Sequence, residues 1–385
     1  MAASIATSPD TEIPLDVPSG RVRMQVSNRH GGPVHLGLQV FDSESGELAA
    51  LIPMRLDAGE VRTINGLPCP RNIRIVPLVT PAGAKLKYKA EACAAMYAGL
   101  RDLARSIGLE AIPRPARSKA TLATPRWLDR APNLKAGTKI SVIIPTRDRL
   151  DLLKQAIATA FDAAQWSNRE LIVVDNGSVE ADALAYLKGL DARDDAVVVR
   201  DGGDFNFSRL INSGTSAATG DVFVLLNNDV IGGDPRWLER LAAWAMKRGI
   251  GAAGALLTYP DGTIQHAGIK VGVHGLTDHV MTRHRVKGPY TERPRRIDAV
   301  TGACLATSRK VFEALGGFEE DFAVEMNDVD YCLRAERAGL INVFEPAARL
   351  VHLERQSRGA PSARVLEDRA EFIRVWGERL LKGAR

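Results

Sequence analysis

Two aspartates, Asp229 and Asp328, have the residue type and the sequence context for chemistry. Asp229 follows the apolar run 222–226 through Asn227 and Asn228, so a carboxylate and two amides come directly after a predicted buried strand. Oxygen donors of this kind suit a hard divalent cation and the phosphates that it carries. Asp328 opens a predicted helix, and a single carboxylate aimed into a cleft is what a general base requires. The pair therefore indicates a metal-binding group and a proton acceptor.

Asp330 lies two residues beyond Asp328, and side chains two residues apart on a helix point in directions about 200° apart. The two carboxylates therefore cannot serve the same hydroxyl. With Asn327 as the predicted N-cap, Asp330 falls at the third helical position, where it can accept backbone N–H bonds and favour the helix dipole. Asp328 is then the candidate base. A purely capping role for both aspartates remains the structural alternative.

The composition is typical of a soluble globular protein, because 45% of the 385 residues are hydrophobic and 25% are charged. No apolar run reaches the roughly 18 residues of a membrane span, and the amino terminus does not resemble a secretory leader, so we expect a cytoplasmic protein. The cysteines lack CxxC spacing and a neighbouring histidine cluster, which argues against a zinc site or a disulfide framework. We expect them to be reduced packing residues: Cys69, Cys93, Cys304 and Cys332.

The net charge of +5 is modest, but basic residues gather in the segment 283–296. They are Arg283, Arg285, Lys287, Arg293, Arg295 and Arg296. The segment is either a solvated surface loop or a contact for an anionic acceptor or for the inner face of the membrane, where the protein would be peripheral. Nucleic acid is disfavoured, because neither an aromatic platform for single strands nor a DNA-binding helix accompanies these charges.

Periodicity divides the chain into successive parts. Residues 1–19 are rich in Ser, Thr and Pro and are predicted to form a disordered tail. Residues 20–85 show short alternating strands, which predict a small antiparallel β-sandwich that acts as a scaffold or interaction module, or that binds carbohydrate. Residues 86–138 are predicted to hold a helix, with helical spacing over 89–107, and a linker, residues 139–360 an α/β domain, and residues 361–385 a C-terminal helix.

Beyond the linker, continuous apolar strands alternate with helices, which predicts a parallel, doubly wound, Rossmann-like sheet. The predicted strands are 140–144, 171–174, 196–199 and 222–226, and the predicted helices are 150–164, 181–190 and 208–218. Asp234 and Pro235 predict the start of a further helix, with Trp237 and Trp244 facing inward. The pattern after this helix is mixed and rich in loops.

Polar motifs follow three of these strands, at the edge where open α/β sheets bind ligands. They are Pro145–Asp148, Asp175–Ser178 and Asn227–Asp229. Asp175 can accept an N–H from a base, Arg147 can neutralise phosphate, and Asp229 can hold Mg²⁺ or Mn²⁺ on a diphosphate. Each motif alone is equally well an ordinary turn. The sequence has neither GxGxxG after the first strand nor a phosphate-binding glycine loop, which argues against a dinucleotide cofactor and a P-loop ATPase.

These motifs, taken with others in the same order along the chain, resemble glycosyltransferase family 2, in particular its bacterial rhamnosyltransferase-like polysaccharide enzymes. The matching segments are Ser141–Thr146, Val173–Ser178, Phe205–Ser208, Ile211–Gly214, Leu226–Asp229, Ile264–Gly268, Thr301–Cys304, Gly316–Phe318, Asn327–Arg334, His352 and Ser357–Gly359. The resemblance covers residues 139–360. These motifs are specific to the family, but they give little information about the substrate.

The resemblance implies a GT-A fold with a mixed sheet, a nucleotide-diphosphate sugar donor, a divalent cation (Mg²⁺ or Mn²⁺) and inversion at the anomeric carbon. The donor it implies is dTDP-rhamnose or a UDP-sugar, and the acceptor is a hydroxyl of a glycan, a lipid-linked glycan or a protein. The residues it places at the donor are Pro145, Thr146, Arg147, Asp175, Asn212, Asn228 and Gly302.

The resemblance also assigns the metal and the base. Asp229 aligns with the last carboxylate of the family's DxD motif, and Asp328 aligns with its general base. Asn227 stands where the first Asp of DxD is usual, which removes one anionic ligand from the metal. Asn327 stands where the family has a Glu before the base.

Three more residues are implied to contact ligands. His352 resembles a histidine that reaches the metal or the diphosphate in relatives, although a lone histidine is more often structural. Gln265 and His266 fall on the stretch that would flank the sugar and the acceptor, where an amide and an imidazole can bond to hydroxyls. A histidine satisfied within a turn is the alternative for His266.

An inverting glycosyltransferase is therefore the predicted function. The main alternative is a non-catalytic carbohydrate-binding or scaffolding protein on a degenerate transferase fold, because Asn227 and Asn327 replace acidic residues. A nucleotidyltransferase is disfavoured, because it would need a glycine-rich basic loop after the first strand, and Pro145–Asp148 is not such a loop.

Overall fold

The computed structural model of the chain describes residues 3–7, 13–15, 20–42, 48–69, 73–80, 86–93, 128, 131–162, 164–272, 277–353 and 363–383. The chain divides into two compact units. The first unit comprises Met1–Ala120, Val271–Asp278 and Ser357–Arg385, and the second comprises Thr121–Lys270 and His279–Gln356. Within the ranges given above, no helix combines the length and the apolar character of a membrane span.

The first unit contains two antiparallel sheets of four strands each among its described residues. The strands are β1 Ala3–Thr7, β2 Ile13–Leu15, β3 Gly20–Asn28, β4 Val34–Asp42, β5 Leu48–Leu56, β6 Val61–Cys69, β7 Ile73–Thr80 and β8 Leu86–Cys93. One sheet has the strand order β1-β8-β3-β6 and the other β2-β7-β4-β5. Antiparallel pairing is what the alternating pattern of residues 20–85 predicts.

The helix Ala363–Gly383 belongs to the same unit and lies against β4, β5 and β7. Its buried side chains include Val365, Phe372, Ile373, Trp376 and Leu380. This spacing places most of them on one face of the helix. The C-terminal helix predicted for residues 361–385 is therefore present, and its apolar face explains why it packs on a sheet.

Two expectations for the amino-terminal part were wrong. The tail predicted for residues 1–19 contains β1 and β2, which pair with β8 and β7. The helix predicted over 89–107 is replaced by strand β8 over residues 89–93. In both places the backbone bonds to strands that are distant in sequence, and local composition does not reveal such partners. The rest of that predicted helix, residues 94–107, lies outside the described residues.

From residue 140 onward the structure is an α/β fold around one large sheet. Its ten strands among the described residues are β9 Ile140–Thr146, β10 Arg169–Asp175, β11 Ala196–Arg200, β12 Val222–Leu226, β13 Val230–Ile231, β14 Ile250–Thr258, β15 Ile264–His266, β18 Arg295–Ile297, β19 Cys304–Ser308 and β20 Ile341–His352. The strands β16 Ile269–Val271 and β17 Thr277–His279 form a separate sheet of two strands. The main order is β11-β10-β9-β12-β19-β14-β20-β13, and β15 and β18 pair with β14 and β20.

This sheet is mixed, as the GT-A resemblance implies. Strands β10 and β12 run parallel to β9, and β11 runs parallel to β10. Strand β19 is antiparallel to both β12 and β14. The register pairs Asp175 with Thr146 and Leu225 with Ile143, so β9, β10 and β12 end close to the same edge. The three polar motifs therefore leave the sheet side by side.

Six helices of the second unit connect or cover these strands among the described residues. They are α1 Leu150–Ile157, α2 Ala181–Asp191, α3 Phe207–Ala217, α4 Trp237–Met246, α5 Arg309–Ala314 and α6 Asn327–Arg337. Helix α1 continues as a π-helix over Ala158–Asp162, and Pro289–Thr291 forms a 3₁₀ turn. Helix α4 begins later than Asp234 and Pro235 predicted, because Asp234 Oδ1 accepts a bond from Arg236 N in a turn before the helix.

The core of the second unit explains several assignments made from the sequence. Trp237 and Trp244 are 1% and 0% exposed, so they are core residues of α4. Cys304 and Cys332 are buried and unpaired, as expected of packing residues. Burial raises the pKa of both thiols, so they stay protonated and unreactive. The side chains of Cys69 and Cys93 lie outside the described part of the structure.

Gly214 of α3 offers a stability test of how this helix packs. A Cβ at Gly214 would lie 2.6 Å from Ile143 Cγ2 and 2.7 Å from Val174 Cγ2, and both of these side chains are 0% exposed. We expect Gly214→Ala to lower the free energy of unfolding by about 1–3 kcal/mol through overpacking. Gly189 of α2 is the matched control, because a Cβ there meets nothing within 4 Å, and alanine should stabilise that helix by up to ~1 kcal/mol. Equal unfolding free energies for the two variants in chemical denaturation would contradict the packing.

Candidate active site

Hydrogen bonds tie the ends of β9, β10 and β12 together. Asn228 Nδ2 donates to Thr146 Oγ1 at 3.1 Å, and Asn176 N donates to Thr146 O at 2.8 Å. Thr146 is 5% exposed, and the neighbouring Pro145 is partly buried. The structure thus brings the three predicted polar motifs to one edge of the sheet. Donor contacts by Pro145, Thr146 and Asn228 stay a prediction.

Asp175, at the end of β10, shapes the following loop. Its Oδ1 accepts a bond from Ser178 N at 2.8 Å, and its Oδ2 lies 3.0 Å from Arg200 Nη1. Asp175 is 1% exposed, and both of its carboxylate oxygens have partners inside the protein. A contact between Asp175 and a nucleobase stays a prediction, and it would need this loop to open or the ion pair with Arg200 to be shared.

The turn after β9 has an uncommon backbone. Asp148 and Arg149 have φ of 51° and 44°, in the left-handed region that few non-glycine residues adopt. Asp148 Oδ1 accepts bonds from Glu180 N at 2.9 Å and from Val179 N at 2.7 Å, and these two bonds lower the pKa of Asp148. Asp148 N donates to Ser178 Oγ at 2.7 Å. The turn is therefore held against the loop that follows β10.

This turn changes which arginine faces the predicted metal site. Arg147 is exposed, whereas Arg149 is partly buried and borders, together with Asp229, a cavity of about 340 Å³. The other lining residues are Asp151, Leu152, Gln155 and Leu353. The Arg149 guanidinium donates to both carboxylate oxygens of Asp151, at 3.2 and 3.0 Å, which raises its pKa. The sequence analysis did not identify Arg149, because the motif gives no sign that the two residues before the helix adopt left-handed backbone angles.

Asp229 forms a linked group with His352 and Gln265. His352 Nε2 lies 3.0 Å from Asp229 Oδ1, and His352 Nδ1 lies 2.8 Å from Gln265 Oε1. The amide oxygen of Gln265 can only accept, so Nδ1 of His352 carries a proton. Nε2 of neutral His352 then has a lone pair directed at a carboxylate oxygen. Such a contact needs either a second proton on the imidazole or a cation shared between the two atoms.

The same three residues fit a divalent cation. A carboxylate oxygen and an imidazole nitrogen are both ligands of Mn²⁺, and neighbouring ligands of an octahedral ion with bonds of about 2.1 Å lie about 3 Å apart. Asp229 Oδ1 and His352 Nε2 are separated by 3.0 Å. Gln265 orients the imidazole from behind, as partners of metal-binding histidines do. No group of three or more His, Cys, Asp or Glu suited to a metal occurs among the residues the structure covers, so a cation here would draw its other ligands from substrate and water.

Asp328 lies in the first turn of α6, which begins after Met326, a residue with φ of 66°. Met326 rather than Asn327 is therefore the N-cap, which corrects the sequence assignment. Asp328 Oδ2 accepts a bond from Gly302 N at 2.7 Å, and Asp328 Oδ1 accepts one from Val329 N at 2.8 Å. Burial raises the pKa of Asp328, and the Gly302 bond only partly opposes this rise. A carboxylate in this state is a stronger base than an exposed aspartate.

Asp330 has a different environment. It is 2% exposed, and its Oδ2 lies 2.7 Å from Arg334 Nε in an ion pair within α6. Arg334 also donates to Leu315 O and Gly317 O, at 2.7 and 2.8 Å. Asp330 is thus engaged in holding α6 to the preceding loop. The structure favours Asp328 over Asp330 as the base, as the helical geometry predicts.

A short backbone path connects the two catalytic candidates. Asn227 N, beside the Asp229 motif, donates to Ala303 O at 3.0 Å. The preceding residue, Gly302, donates to Asp328. The segments that carry Asp229 and Asp328 are therefore linked by a short run of hydrogen-bonded backbone at the edge of the sheet.

Gln265 and His266 are buried, with 6% and 0% exposure, which argues against direct contact with an acceptor. Acceptor contacts by these two residues stay a prediction. Gln265 supports His352, as described above. His266 bonds with backbone groups and with His279. Both residues lie in strand β15, and the one-letter motif did not show that this strand is covered on both faces.

Asn212 and Gly302 have partners within the protein. Asn212 Nδ2 donates to Phe318 O at 2.9 Å and to Glu320 Oε1 at 3.0 Å, while its Oδ1 accepts a bond from Phe318 N. A Cβ at Gly302 would lie 3.2 Å from Phe207 and 3.4 Å from Asp328 Cβ. The space beside Gly302 is thus filled by side chains of the protein. Donor contacts by either residue stay a prediction.

Part of the basic segment 283–296 has partners on the protein. Arg283 lies over the ring of Tyr259, 4.0 Å from its centroid. Arg295 donates to two backbone carbonyls, and Arg296 lies 3.8 Å from Glu336. These contacts favour the surface-loop interpretation for these three arginines. Contact of the segment with a membrane or an anionic acceptor stays a prediction.

Comparison with known proteins agrees with this geometry. Residues 141–316 match the family model described as Glycosyl transferase family 2. The O-antigen biosynthesis protein RfbC of Myxococcus xanthus is 34% identical over 273 residues, which is 69% of this chain and 21% of that protein. An N-acetylglucosaminyl-diphospho-decaprenol L-rhamnosyltransferase of Mycobacterium tuberculosis is 30% identical over 126 residues, which is 29% of this chain and 40% of that protein. The chain therefore spans less than half the length of these relatives.

A solved structure agrees on the fold. The crystal structure of GalNAc-T7 with UDP, GalNAc and Mn²⁺ aligns with a TM-score of 0.51 and 17% identity, covering 63% of this chain and 50% of that chain. At this identity the likeness concerns the fold alone. The family match shows that residues 141–316 are similar to glycosyltransferase family 2, and the mixed sheet has the fold of GalNAc-T7.

Proposed function

We propose that the protein is an inverting glycosyltransferase that moves a sugar from a nucleotide-diphosphate sugar to a hydroxyl of a glycan or lipid-linked glycan. The observation that carries this proposal is the hydrogen-bonded backbone, through Ala303 and Gly302, that joins the segment of the Asp229–His352 pair to the partly buried base candidate Asp328. The Asp229–His352 pair suits a divalent cation that would neutralise a diphosphate, and the carboxylate of Asp328 suits the acceptance of a proton.

Each residue has a distinct part in the proposed reaction. Asp328 accepts the proton of the acceptor hydroxyl as that oxygen attacks the anomeric carbon, and the bond from Gly302 N holds the carboxylate in place. Asp229 and His352 would hold Mg²⁺ or Mn²⁺, which when bound would supply positive charge for the leaving diphosphate. Arg149, on the cavity beside Asp229, supplies a further positive charge. Gln265 keeps the His352 ring oriented.

The relatives suggest the substrate class. One of them is named as an L-rhamnosyltransferase acting on N-acetylglucosaminyl-diphospho-decaprenol and another as an O-antigen biosynthesis protein. We therefore propose dTDP-rhamnose as the donor and a sugar diphospho-lipid as the acceptor. The Mn²⁺ bound in GalNAc-T7 supports Mn²⁺ as the first cation to test.

A panel of nucleotide sugars tests the function directly. We expect one donor to raise the melting temperature selectively in the presence of Mn²⁺, because a ligand that binds only the folded state stabilises it. The same donor should release its nucleoside diphosphate when an N-acetylglucosaminyl diphospho-lipid with a short prenyl chain is added. Stabilisation by sugars without any release from any donor would favour the non-catalytic carbohydrate-binding alternative.

The environment of Asp328 predicts the pH dependence. The base works only when ionised, and burial raises its pKa. We therefore expect kcat/KM to fall as the pH decreases through that raised pKa, at a pH above the ~3.9 of an exposed aspartate. Initial rates from pH 4 to 8, with buffer controls, would show this acidic limb. Rates that stay constant down to pH 4 would contradict the assignment.

A further inference from the structure

The basic segment 283–296 accounts for the whole net charge of the chain. Its six basic residues and its one acidic residue, Glu292, give it a net charge of +5, which equals the formal net charge of the complete sequence. The rest of the chain therefore has as many acidic as basic residues. Charge of one sign gathered in one segment produces a local positive potential, whereas mixed charges elsewhere largely cancel.

The structure divides these six cations into two groups. Three of them have the partners on the protein that are described above: Arg283, Arg295 and Arg296. The other three are exposed: Arg285, Lys287 and Arg293. Within the part of the chain that the structure describes, no hydrogen bond, ion pair or ring contact involves the side chains of this second group. These three cations are therefore available to an anionic partner.

The first half of the segment is held in place by strand β15. Ile264 N donates to His284 O at 2.8 Å, and Arg285 forms an antiparallel bridge with Thr263. Val286 is partly buried, whereas the cations on both sides of it are exposed. The pairing with β15 thus turns the apolar side chain toward the protein and two cations toward solvent.

The second half of the segment is a closed loop that carries Arg293. Arg295 closes this loop, because its Nη2 donates to Pro289 O at 2.6 Å and its Nε donates to Tyr290 O at 3.2 Å. The Tyr290 ring in turn stacks on Phe344, with 5.9 Å between the ring centroids. Arg293 therefore presents its charge from a backbone that is fixed on the protein.

The segment lies one strand away from the predicted metal ligands. Strand β15, which pairs with the segment through Ile264, also carries Gln265, and Gln265 Oε1 lies 2.8 Å from His352 Nδ1. His352 Nε2 lies 3.0 Å from Asp229 Oδ1. A surface bound by the segment would therefore be close to the candidate active site.

We propose that Arg285, Lys287 and Arg293 form a docking surface for a membrane that contains anionic lipids. Lipid head groups offer a dense negative surface, and each Lys or Arg close to such a surface strengthens binding roughly fivefold. A membrane suits this surface better than one bound phosphate, because a phosphate site has converging donors, whereas these three side chains are exposed on a loop. The docking does not depend on the proposed glycosyl transfer, but it would bring the site to a sugar diphospho-lipid.

Vesicle binding by the full chain tests the proposal. We expect wild type to sediment with vesicles of phosphatidylcholine and phosphatidylglycerol, and to stay in solution with vesicles of phosphatidylcholine alone. Added salt should weaken the binding, since ions screen exposed charges. Replacing Arg285, Lys287 and Arg293 together by glutamine should lower the affinity for the anionic vesicles by roughly 100-fold, about fivefold for each charge.

The matched control is a second triple variant that removes the same charge elsewhere, at Lys188, Arg248 and Lys310. These residues are exposed, and their side chains have no partner among the residues that the structure covers. Their replacement by glutamine should leave the vesicle affinity close to that of wild type. Both triple variants should keep the wild-type melting temperature, because exposed side chains without partners contribute little to stability.

Three results would overturn the proposal: wild type that does not prefer anionic vesicles, a first triple variant that binds them as well as wild type, or a control variant that loses as much affinity. Kinetics with the short-chain acceptor in solution distinguish the membrane from the diphosphate of the acceptor. We expect the first triple variant to keep the wild-type acceptor KM there, because no membrane is present.

A raised acceptor KM with unchanged vesicle binding would mean that the segment binds the acceptor diphosphate, and it would refute membrane docking. If wild type binds the anionic vesicles but transfers no sugar, the proposed function fails while the docking stands.

Discussion

Replacing Asp328 by asparagine is expected to lower kcat by roughly 10²- to 10⁴-fold, the usual contribution of a general base. Asparagine keeps an oxygen that can accept the bond from Gly302 N, which measures 2.7 Å in the native site, but it cannot take a proton from the acceptor. Nucleotide binding should therefore be unchanged. Steady-state rates give the loss of turnover, and calorimetric titration of the nucleoside diphosphate with Mn²⁺ shows whether binding is retained.

Two other aspartates serve as controls for this result. Asp194 is exposed in the turn before β11, so Asp194→Asn should leave both rate and stability unchanged. Asp330→Asn removes the charged partner of the partly buried Arg334 and should lower the free energy of unfolding by about 1–3 kcal/mol, the usual cost of a lost hydrogen bond to a charged group. A folded Asp328→Asn protein with wild-type turnover would show that residue 328 is not the base.

The second large effect is expected at Asp229. Asp229→Asn removes the anionic member of the pair with His352, so we expect Mn²⁺ to lose its effect on nucleotide affinity. In typical sites, removing a residue that hydrogen-bonds to a metal ligand lowers the metal affinity by about 10- to 100-fold. Asp229 would itself be a ligand, so we expect its replacement to lower the Mn²⁺ affinity by at least about this factor. Calorimetric titrations of the nucleoside diphosphate, with Mn²⁺ and with EDTA, measure the difference.

The controls distinguish two sources of positive charge for the diphosphate, a bound cation and the imidazole of His352. His352→Ala should reduce the Mn²⁺ effect in the same way, whereas in EDTA both variants and wild type should bind the nucleotide alike if the pair acts through a cation. Wild-type binding that is equally tight in Mn²⁺ and EDTA would instead mean that a protonated His352 supplies the positive charge. That outcome would refute the metal assignment while leaving Asp328 untouched.

One of the two asparagines that replace acidic residues of the family pattern, Asn327, has a physical explanation in this site. Asn327 is 5% exposed, and its Oδ1 accepts a bond from Asp328 N at 2.8 Å. A glutamate at this position would place a second buried carboxylate beside the base and raise its pKa further, because like charges disfavour ionisation. Asn227 contributes its backbone N–H to the link with Ala303, which any residue except proline could provide. The substitutions are therefore compatible with catalysis.

The four parallel strands β9 to β12, and the edge at which their polar motifs lie, could be predicted from the sequence. Continuous apolar runs such as Val222–Leu226 predict buried parallel strands, and residues at the ends of parallel strands must meet at one edge. Helical geometry separates Asp328 from Asp330 without coordinates. These predictions depend only on local periodicity and on the direction of strands, both of which are encoded in short stretches of sequence.

Other features depend on contacts between residues that are distant in sequence. Strand β1 forms because β8 offers an unpaired edge, and nothing in residues 3–7 reveals that edge. Arg149 faces Asp229 only because hydrogen bonds to Asp148 hold a left-handed turn. Such features need the three-dimensional structure.

The anomeric configuration of the first product tests the central claim most directly, because one metal-bound diphosphate facing one base leaves room for a single displacement. The reaction contains wild-type protein, Mn²⁺, dTDP-rhamnose and the short-chain sugar diphospho-lipid. Proton NMR follows the new glycosidic linkage. We predict a product of the anomeric configuration opposite to that of the donor, formed at a rate that falls when Asp328 becomes asparagine. A product that keeps the donor configuration, or an Asp328→Asn protein that forms it as fast as wild type, would contradict the account.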